Sequence, residues 1–426
     1  MAEAKPSGCL RTVLILVILF TSISTAAFYI LLRANLYTPE KDKAEAVFFH
    51  NIEVFDGEKV LGSTHVSVKD GVIDCLGKDC KPGEGAKVID GKGKSLIPGL
   101  IDLHIHFYAP SKENRELSSF RQLFDYIRQR PDVRKNLHAA GVTSVRSVGD
   151  IAGNILKLRE QIQNGDLSGP EVYCAGPLFT APDGHPAGTI YKGNAYLVEN
   201  GTRQVNDTAT ARAEVVALAN MGVNGIKAVY DDVGGKFPKL DSTVLKTIIA
   251  AAHENNLWVT VHTGTARDVA EVTAWGTDAI EHGTGEALPD DIIQLMAEKR
   301  VLYVPTLSVI EAQGVLNDQP WRMRNLPRLD SAGVLIGAGT DTQGNMAFGE
   351  SLHRELELLV EAGLTPEHAL RTATFYAAVS LKADHEKGLI SVGKKADLIL
   401  VNGRPTAQIK DIRNIEAVWQ NGIQVK

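Results

Sequence analysis

Six residues that could hold metal ions follow one another in this sequence in the order that hydrolytic sites with two metals require. His104 and His106 form the tightest group, in the segment "SLIPGLIDLHIHF". Residues two apart on a strand point to the same face, so both imidazoles can reach a single cation. The other four candidates follow at wide intervals: Lys227, His262, His282 and Asp341.

The donor types of these residues favour zinc or a similar divalent ion, which takes imidazole nitrogens and carboxylate oxygens. We expect His104, His106 and Asp341 to form one metal site. We expect His262 and His282 to form half of a second site, which then needs a bridging anion.

Short apolar strands separated by helical stretches must position these candidates. Eight such strands can be counted from "LIDLHIHF" to "VLIGAGTD". Eight parallel strands close a (β/α)8 barrel, in which functional groups lie at the carboxyl ends of the strands. All six candidates end predicted strands, namely the first, fourth, fifth, sixth and eighth: His104 with His106, Lys227, His262, His282 and Asp341. We therefore expect an α/β fold with a TIM-like barrel over residues 98–384.

Both chain ends outside this region show the alternation and turn signals of β-hairpins. Asp-Gly pairs separate the apolar runs near the N-terminal end, and "KADLILVNG" and "AVWQNGIQVK" repeat the pattern near the C-terminus. Asp-Gly between alternating apolar runs is typical of a hairpin turn. We expect residues 44–97 and 385–426 to form one small composite β-sandwich.

The N-terminal segment is a separate feature. Residues 13–32 carry no charge, and this length, at about 1.5 Å per residue, matches a hydrocarbon core of about 30 Å. We expect residues 1–37 to be a tail and a transmembrane anchor; a cleaved signal peptide is the alternative, because small residues occur at 24–27. Basic residues flank the segment on both sides and do not settle its orientation. The short tail favours a single-pass protein with its catalytic domain outside the cytoplasm.

Composition limits the partners. The 426 residues carry a net charge of −6, without a Lys/Arg-rich tract in the body of the chain, which argues against nucleic acid. Four cysteines are too few for a disulfide framework, and Cys75 and Cys80 either pair in an oxidising compartment or stay as thiols. We expect a small-molecule substrate and membrane contact through the N-terminal helix, and we leave a homo-oligomer open.

The same motifs resemble those of the amidohydrolase superfamily over nearly the whole chain after the N-terminal segment. The segments that carry the resemblance are "PGLIDLHIH", "GVNGIKAVY", "VTVHT", "AIEHG" and "GAGTD". Together with "GVTSVRSVG" they are similar to the imidazolonepropionase-like branch, which contains Xaa-Pro dipeptidases (prolidases). At Lys227 the resemblance implies a carbamate, formed with carbon dioxide, whose two oxygens join two divalent metal ions, expected to be Zn²⁺.

Such a metal pair would generate its own nucleophile. Two cations about 3.5–4 Å apart can hold a bridging hydroxide and polarise a carbonyl at once. A carboxylate beside that hydroxide, here Asp341, can accept its proton during attack and deliver it to the departing amine. Alternatively, Asp341 caps the helix that follows it. A single histidine is more often a core residue than a metal ligand. Because His262 and His282 end successive predicted strands, we interpret them as ligands.

Three further residues are candidates for substrate contacts. His185 lies in "APDGHPAGT", where the resemblance implies a histidine that contacts the substrate carbonyl, although the family pattern is closer to Gly-Gly-His. Tyr230 and Arg146 could hold a substrate carboxylate. Arg146 could equally form a structural salt bridge, and Ser147 stands where the branch usually has aspartate.

These observations predict a metal-dependent hydrolase of an amide bond, in a dipeptide of Xaa-Pro or Xaa-Arg type or in an N-acyl amino acid. A cyclic amide, a lactone or an organophosphate ester on the same metals is the alternative. A mononuclear deaminase is disfavoured, because "HTGTARD" at His262 offers no glutamate as proton carrier. A non-catalytic barrel acting as an interaction protein is disfavoured too, because all six candidate ligands are present.

Overall fold

The computed structural model describes residues 8–34, 37–38, 45–107, 131–343 and 346–426. The strands in chain order are β1 (Val47–Phe55), β2 (Val60–Lys69), β3 (Val72–Leu76), β4 (Lys87–Asp90), β5 (Lys94–Pro98), β6 (Leu100–Ile105), β7 (Val142–Ser147), β8 (Glu171–Cys174), β9 (Leu178–Thr180), β10 (Thr202–Gln204), β11 (Gly225–Tyr230), β12 (Trp258–Thr263), β13 (Ala279–Glu281), β14 (Leu302–Val304), β15 (Leu398–Asn402), β16 (Ile415–Gln420) and β17 (Ile423–Gln424).

The helices alternate with strands through the middle of the chain, as expected of a parallel α/β barrel. In chain order they are α1 (Gly8–Ala34), α2 (described part 131–139), α3 (Ala152–Gln163), α4 (Ala195–Gly201), α5 (Thr208–Met221), α6 (Ser242–Glu254), α7 (Ala266–Trp275), α8 (Asp290–Glu298), α9 (Leu307–Ala312), α10 (Trp321–Ser331), α11 (Glu350–Glu361), α12 (Pro366–Thr372) and α13 (Phe375–Ser380). Short 3-10 helices lie at Leu316–Asp318 and Ile409–Arg413.

Strands from both chain ends form one eight-stranded sheet. Its order is β17-β16-β15-β5-β1-β2-β3, and β4 pairs with β1. The hairpin between β2 and β3 turns at Asp70 and Gly71, both with positive φ, as the Asp-Gly signal predicts. The rings of Phe49 and Trp419 pack edge to face at 5.1 Å. A residue near each end of the chain therefore helps to build one core, in a single sheet where the sequence analysis expected a β-sandwich.

Cys75 and Cys80 form a disulfide at the edge of this sheet. The bond closes the short segment that follows β3. Of the two alternatives left open by the sequence, the structure therefore has the paired cysteines.

The barrel is assembled from parallel strands in two groups. One group is β6-β7-β8, and the other is β10-β9-β11-β12-β13-β14. The predicted third strand, "EVYCAG", corresponds to β8, which pairs with β7. A further short strand that was not predicted, β9, follows it and pairs with β11. The predicted eighth strand is reduced to two bridges, Ile336 with Tyr303 and Thr342 with Ile105. These bridges join the last strand position to both β14 and β6 and so connect the two groups of strands.

The loops and helices of the barrel begin and end at ordinary stop signals. Asp207 caps α5 by accepting the backbone N–H of Thr210, and Gly222 ends that helix with φ of 88°. Thr265 and Asp268 form a reciprocal capping box at the start of α7. The end of α5 fixes where the chain enters β11, and the start of α7 fixes where it leaves β12. These helix ends therefore help to position the side chains on both strands.

The N-terminal helix α1 covers most of the predicted anchor, and the apolar side chains described within it are exposed. Side chains are described only for residues 12–28 of this helix. Within the described part of the chain, no helix has the length and hydropathy of a membrane span. The predicted transmembrane anchor at 13–32 is therefore not supported. The side chains of residues 29–32 are outside the part of the chain for which side chains are described.

Candidate active site

The first group of candidate ligands, His104, His106 and Asp341, lies at the carboxyl end of β6, where this strand contacts the last strand position of the barrel. The backbone N–H of Asp341 donates to the carbonyl of His104 at 2.7 Å, which fixes the two residues side by side. The Oδ1 atom of Asp341 lies 3.0 Å from Nε2 of His106 and 3.5 Å from Nε2 of His104. Both imidazoles predicted to share a cation with Asp341 therefore lie next to its carboxylate.

The second group of candidate ligands faces the first across the barrel mouth. The rings of His262 and His282 are 4.5 Å apart, and those of His282 and His104 are 4.9 Å apart. One ligand atom from each of His104, His282 and Asp341 lies within 4.8 Å of the others. Nδ1 of His282 contacts the Thr306 hydroxyl at 2.8 Å, which leaves Nε2 for a cation.

Two of these residues adopt a backbone conformation that is rare for their type. His282 has φ of 63° and Asp341 has φ of 52°. Left-handed conformations outside glycine cost of order 1–3 kcal/mol and cluster at functional sites. The chain turns sharply at the end of β13 and at the closing strand position, and this turn aims both side chains at the barrel axis.

Lys227 stands in the middle of β11, opposite Thr260 of β12. It is almost fully buried, and its Nζ atom has no hydrogen-bond partner among the described residues. Burial lowers the pKa of Lys227 to about 8, against opposing effects of Glu281 and Asp341. A buried ammonium without a partner is costly, so this position suits an amine that is neutral or chemically modified.

Glu281 supports His104 from beneath, and the sequence analysis did not single it out. Its side chain is fully buried, and Oε2 lies 2.7 Å from Nδ1 of His104. Its Oε1 accepts from Nη2 of Arg146 at 2.5 Å and from the Thr260 hydroxyl. Burial raises the pKa of Glu281, but Arg146 and His104 outweigh burial and hold it well below its usual range. An ionised carboxylate here fixes the tautomer of His104 so that Nε2 can bind a cation.

Arg146 was predicted to hold a substrate carboxylate, and the structure places it elsewhere. Its guanidinium is buried below the site, where Nε donates to the carbonyl of Leu103 at 2.7 Å and Nη2 pairs with Glu281. It also stacks over the Trp258 ring at 5.3 Å. The structural salt bridge that the sequence left as an alternative is the arrangement observed, because Glu281 needs a counter-charge in the core.

Tyr230 is likewise not brought to the cavity, although it follows Lys227 closely. Its hydroxyl donates to Oε2 of Glu271 at 2.8 Å, and Nζ of Lys239 lies 4.1 Å from the ring centre. The side chain therefore packs towards α7 rather than towards the metal candidates. The period of two along the strand explains this, because Tyr230 and Lys227 are three residues apart and point to opposite faces.

His185 does reach the site from the loop after β9. Its ring lies 5.1 Å from that of His262, and Nδ1 contacts the Thr189 hydroxyl at 2.7 Å. Burial, followed by the neighbouring His262, lowers the pKa of His185 to about 3. This imidazole is therefore uncharged at neutral pH and can donate a hydrogen bond into the cavity.

A cavity of about 370 Å³ opens over these residues. Its apolar wall includes Leu178, Ile190, Val229, Val309 and Ile310. Polar lining residues that the sequence analysis did not identify include Asp231, Gln313, Arg322 and Gln343.

Asp231 and Arg322 are the charged members of this added set. Oδ2 of Asp231 lies 3.1 Å from Nε2 of His262. Nη1 of Arg322 donates to the carbonyl of His282 at 2.7 Å. Asp231 follows β11 directly, so the strand-end rule could have identified it, whereas Arg322 lies in α10 and carries no such signal.

Comparison with known proteins finds one matching family and several similar enzymes. The model of the amidohydrolase family matches residues 95–425. Ochratoxinase from Aspergillus niger is 29% identical over 381 residues, covering 77% of this chain and 75% of that protein. Imidazolonepropionase from a Geobacillus species is 24% identical, covering 80% of this chain and 84% of that protein. A crystal structure of a Xaa-Pro dipeptidase with bound methionine has a TM-score of 0.77 and 26% identity, covering 89% of this chain and 99% of that one.

The family match covers most of the chain and includes the whole barrel. It confirms the resemblance predicted from the strand-end motifs, and the related hydrolases place the chain among enzymes that act on amide bonds. The chain belongs to the amidohydrolase family and is a hydrolytic enzyme.

Proposed function

We propose that the protein is a metal-dependent hydrolase that cleaves the amide bond of a dipeptide, of Xaa-Pro or Xaa-Arg type, or of an N-acyl amino acid. The observation that carries the proposal is that all six candidate ligands line one cavity, together with a buried Lys227 amine that has no hydrogen-bond partner among the described residues. A stable core rarely leaves such an amine unpaired.

The residues present fit two divalent ions. Nζ of Lys227 and Nδ1 of His106 lack hydrogen-bond partners among the described residues, and the surrounding donors are imidazoles and carboxylates of the kind that zinc prefers. One ion would be held by His104, His106 and Asp341, and the other by His262 and His282. Lys227, as a carbamate formed with carbon dioxide, would serve both. When bound, a pair of Zn²⁺ ions would lower the pKa of a water molecule towards 7 and polarise the substrate carbonyl.

Asp341 is the residue that would move the proton. Burial raises the pKa of Asp341, but His104 and His106 outweigh burial, and the net pKa lies below its usual value. The carboxylate is therefore ionised at neutral pH and can accept a proton from the attacking water. It can then return that proton to the departing amine nitrogen, acting as general base and then general acid.

His185 and the cavity wall would orient the substrate. The uncharged His185 ring lies beside His262, from where an N–H can donate to the scissile carbonyl oxygen. The apolar residues of the wall favour a substrate with apolar side chains, and about 370 Å³ suits a dipeptide-sized molecule. The similarity to a Xaa-Pro dipeptidase and to an ochratoxinase supports this substrate class.

The test is a substrate screen on the purified full chain, incubated with zinc and bicarbonate. Xaa-Pro and Xaa-Arg dipeptides and N-acyl amino acids are assayed for amine release, next to cyclic amides, lactones and organophosphate esters. We expect turnover of a dipeptide or N-acyl amino acid that Asp341→Asn abolishes. Turnover confined to lactones or phosphate esters would leave the metal proposal in place and refute the amide substrate.

The compartment is a separate proposal. The disulfide between Cys75 and Cys80 favours an oxidising space outside the cytoplasm for the catalytic domain. Labelling of free thiols in the protein isolated from its native host, before and after reduction, tests this. Two additional labelled thiols only after reduction support it, and full labelling without reduction contradicts it.

A further inference from the structure

Arg322 is a cationic lining residue of the active-site cavity that none of the proposed chemistry uses. It lies in the first turn of α10, and its guanidinium is half-buried against the site. Nη1 donates to the carbonyl of His282 at 2.7 Å, and Nε donates to Oε1 of Gln319 at 2.5 Å. Two hydrogen bonds therefore hold the planar group in place beside a candidate metal ligand.

Both of these acceptors are uncharged, and the Asp231 carboxylate acts on the Arg322 charge only through space. Among the described residues, no carboxylate forms an ion pair with it. The two acidic residues of the cavity wall already contact histidines, Asp341 with His106 and Asp231 with His262. Burial lowers the pKa of Arg322, yet a guanidinium stays protonated in proteins.

A fixed, partly desolvated guanidinium without an anion is costly unless a ligand supplies one. Elsewhere in this barrel the same problem has an internal solution, since buried Arg146 is paired with Glu281. At Arg322 the open side is the cavity. A carboxylate is the anion that a guanidinium matches best in geometry, and every substrate in the proposed class carries one on its departing amino acid.

We propose that Arg322 is the specificity residue that binds the carboxylate of the departing amino acid. This inference rests on the proposed amide hydrolysis and adds the requirement for a free C-terminal carboxylate. It also replaces Arg146 and Tyr230, whose side chains do not line the cavity. Because Arg322 contacts the backbone of His282, binding there places the leaving-group end of the substrate next to the metal candidates.

The test compares Arg322→Gln with Arg324→Gln, using a dipeptide that the enzyme cleaves and the same dipeptide as its C-terminal amide. Arg324 is a matched control because it lies on the same helix, is exposed and does not line the cavity. A charge-assisted hydrogen bond suggests that Arg322→Gln lowers kcat/KM for the free acid by about 10- to 100-fold. We expect the change mainly in KM, with the amide substrate affected less than twofold and Arg324→Gln unchanged on both.

Two further measurements separate this role from damage to the site. Zinc content and thermal midpoint are measured on each variant, because Arg322 also holds the His282 backbone. Arg322→Lys keeps the charge and should recover part of the preference for the free acid. An equal loss on the acid and the amide, or no loss on either, overturns the proposal.

Failure of the proposed hydrolysis would be recognised independently. If the wild-type protein cleaves no amide, calorimetric titration of the zinc-treated protein with N-acetyl-proline still tests the anion site. A binding constant about 10- to 100-fold weaker in Arg322→Gln alone supports the carboxylate site. Equal affinity in all variants, or no binding to the wild type, refutes it.

Discussion

Replacing Glu281 with glutamine should destabilise the protein strongly and weaken its metal site at the same time. The Glu281 carboxylate is fully buried and is the counter-charge of Arg146, as well as the partner of Nδ1 of His104. Glutamine keeps the shape but removes the charge, which leaves the Arg146 guanidinium buried and unpaired. Breaking a buried pair by removing one partner costs about 3–5 kcal/mol.

That loss is large against the total stability of a protein, which is about 5–15 kcal/mol. The assay is urea unfolding of the metal-free protein, followed by fluorescence, so that lost metal binding does not contribute. A separate zinc titration should show about 10- to 100-fold weaker affinity, as expected when a partner that orients a ligand is removed.

The control is Glu254→Gln, which breaks the surface pair between Arg212 and Glu254. Both side chains are exposed, so solvent and salt screen the pair, and we expect the unfolding midpoint to stay at the wild-type value. If Glu281→Gln unfolds at the wild-type midpoint with unchanged zinc affinity, the support of His104 through Glu281 is wrong.

Three other substitutions test the remaining groups. Asp341→Asn preserves shape but cannot accept a proton, so kcat should fall by about 10²- to 10⁴-fold with the circular dichroism spectrum unchanged; retained turnover would refute the proton role. Lys227→Ala should lower the zinc content measured by atomic absorption. Short carboxylic acids, which can take the place of the carbamate, should restore part of that zinc content. Unchanged zinc content in the variant would exclude Lys227 as a ligand. His353→Gln tests stability in acid, because burial lowers the pKa of His353 to about 4. The buried, uncharged ring contributes to the free energy of unfolding above pH about 6.5, and this contribution is lost as the pH falls towards 4. Over that pH range, the free energy of unfolding measured in urea should fall less in the variant than in the wild type, by up to about 3 kcal/mol. An equal fall in both proteins would contradict this role of His353.

The strand-end rule allowed most of the site to be predicted from sequence. His104, Lys227 and Asp341 each follow or lie within short apolar strands, and parallel strands bring their carboxyl ends to one edge regardless of loop details. The hairpin turn at Asp70 and Gly71 could also be predicted, since an Asp-Gly pair between alternating apolar residues is a local signal.

Contacts across the barrel could not be predicted in the same way. Whether Arg146 reaches a substrate or a carboxylate depends on which residue of a distant strand lies opposite it, and Glu281 is 135 residues away along the chain. Arg322 could not be predicted either, because its helix carries no motif and its proposed role depends on its guanidinium facing the cavity. The short strand β9 was likewise not predicted, because it is defined by its pairing with β10 and β11.

The most direct single measurement is amide hydrolysis as a function of bound zinc. The full chain, stripped of metal, is titrated with Zn²⁺ in bicarbonate while zinc content and amine release from a dipeptide and N-acyl amino acid library are recorded. We expect release to rise with zinc until two ions are bound per chain, and to be absent at every ratio in Asp341→Asn. Two bound ions without cleavage of any amide, or full activity in the metal-free protein, would contradict the proposed metal-dependent amide hydrolysis.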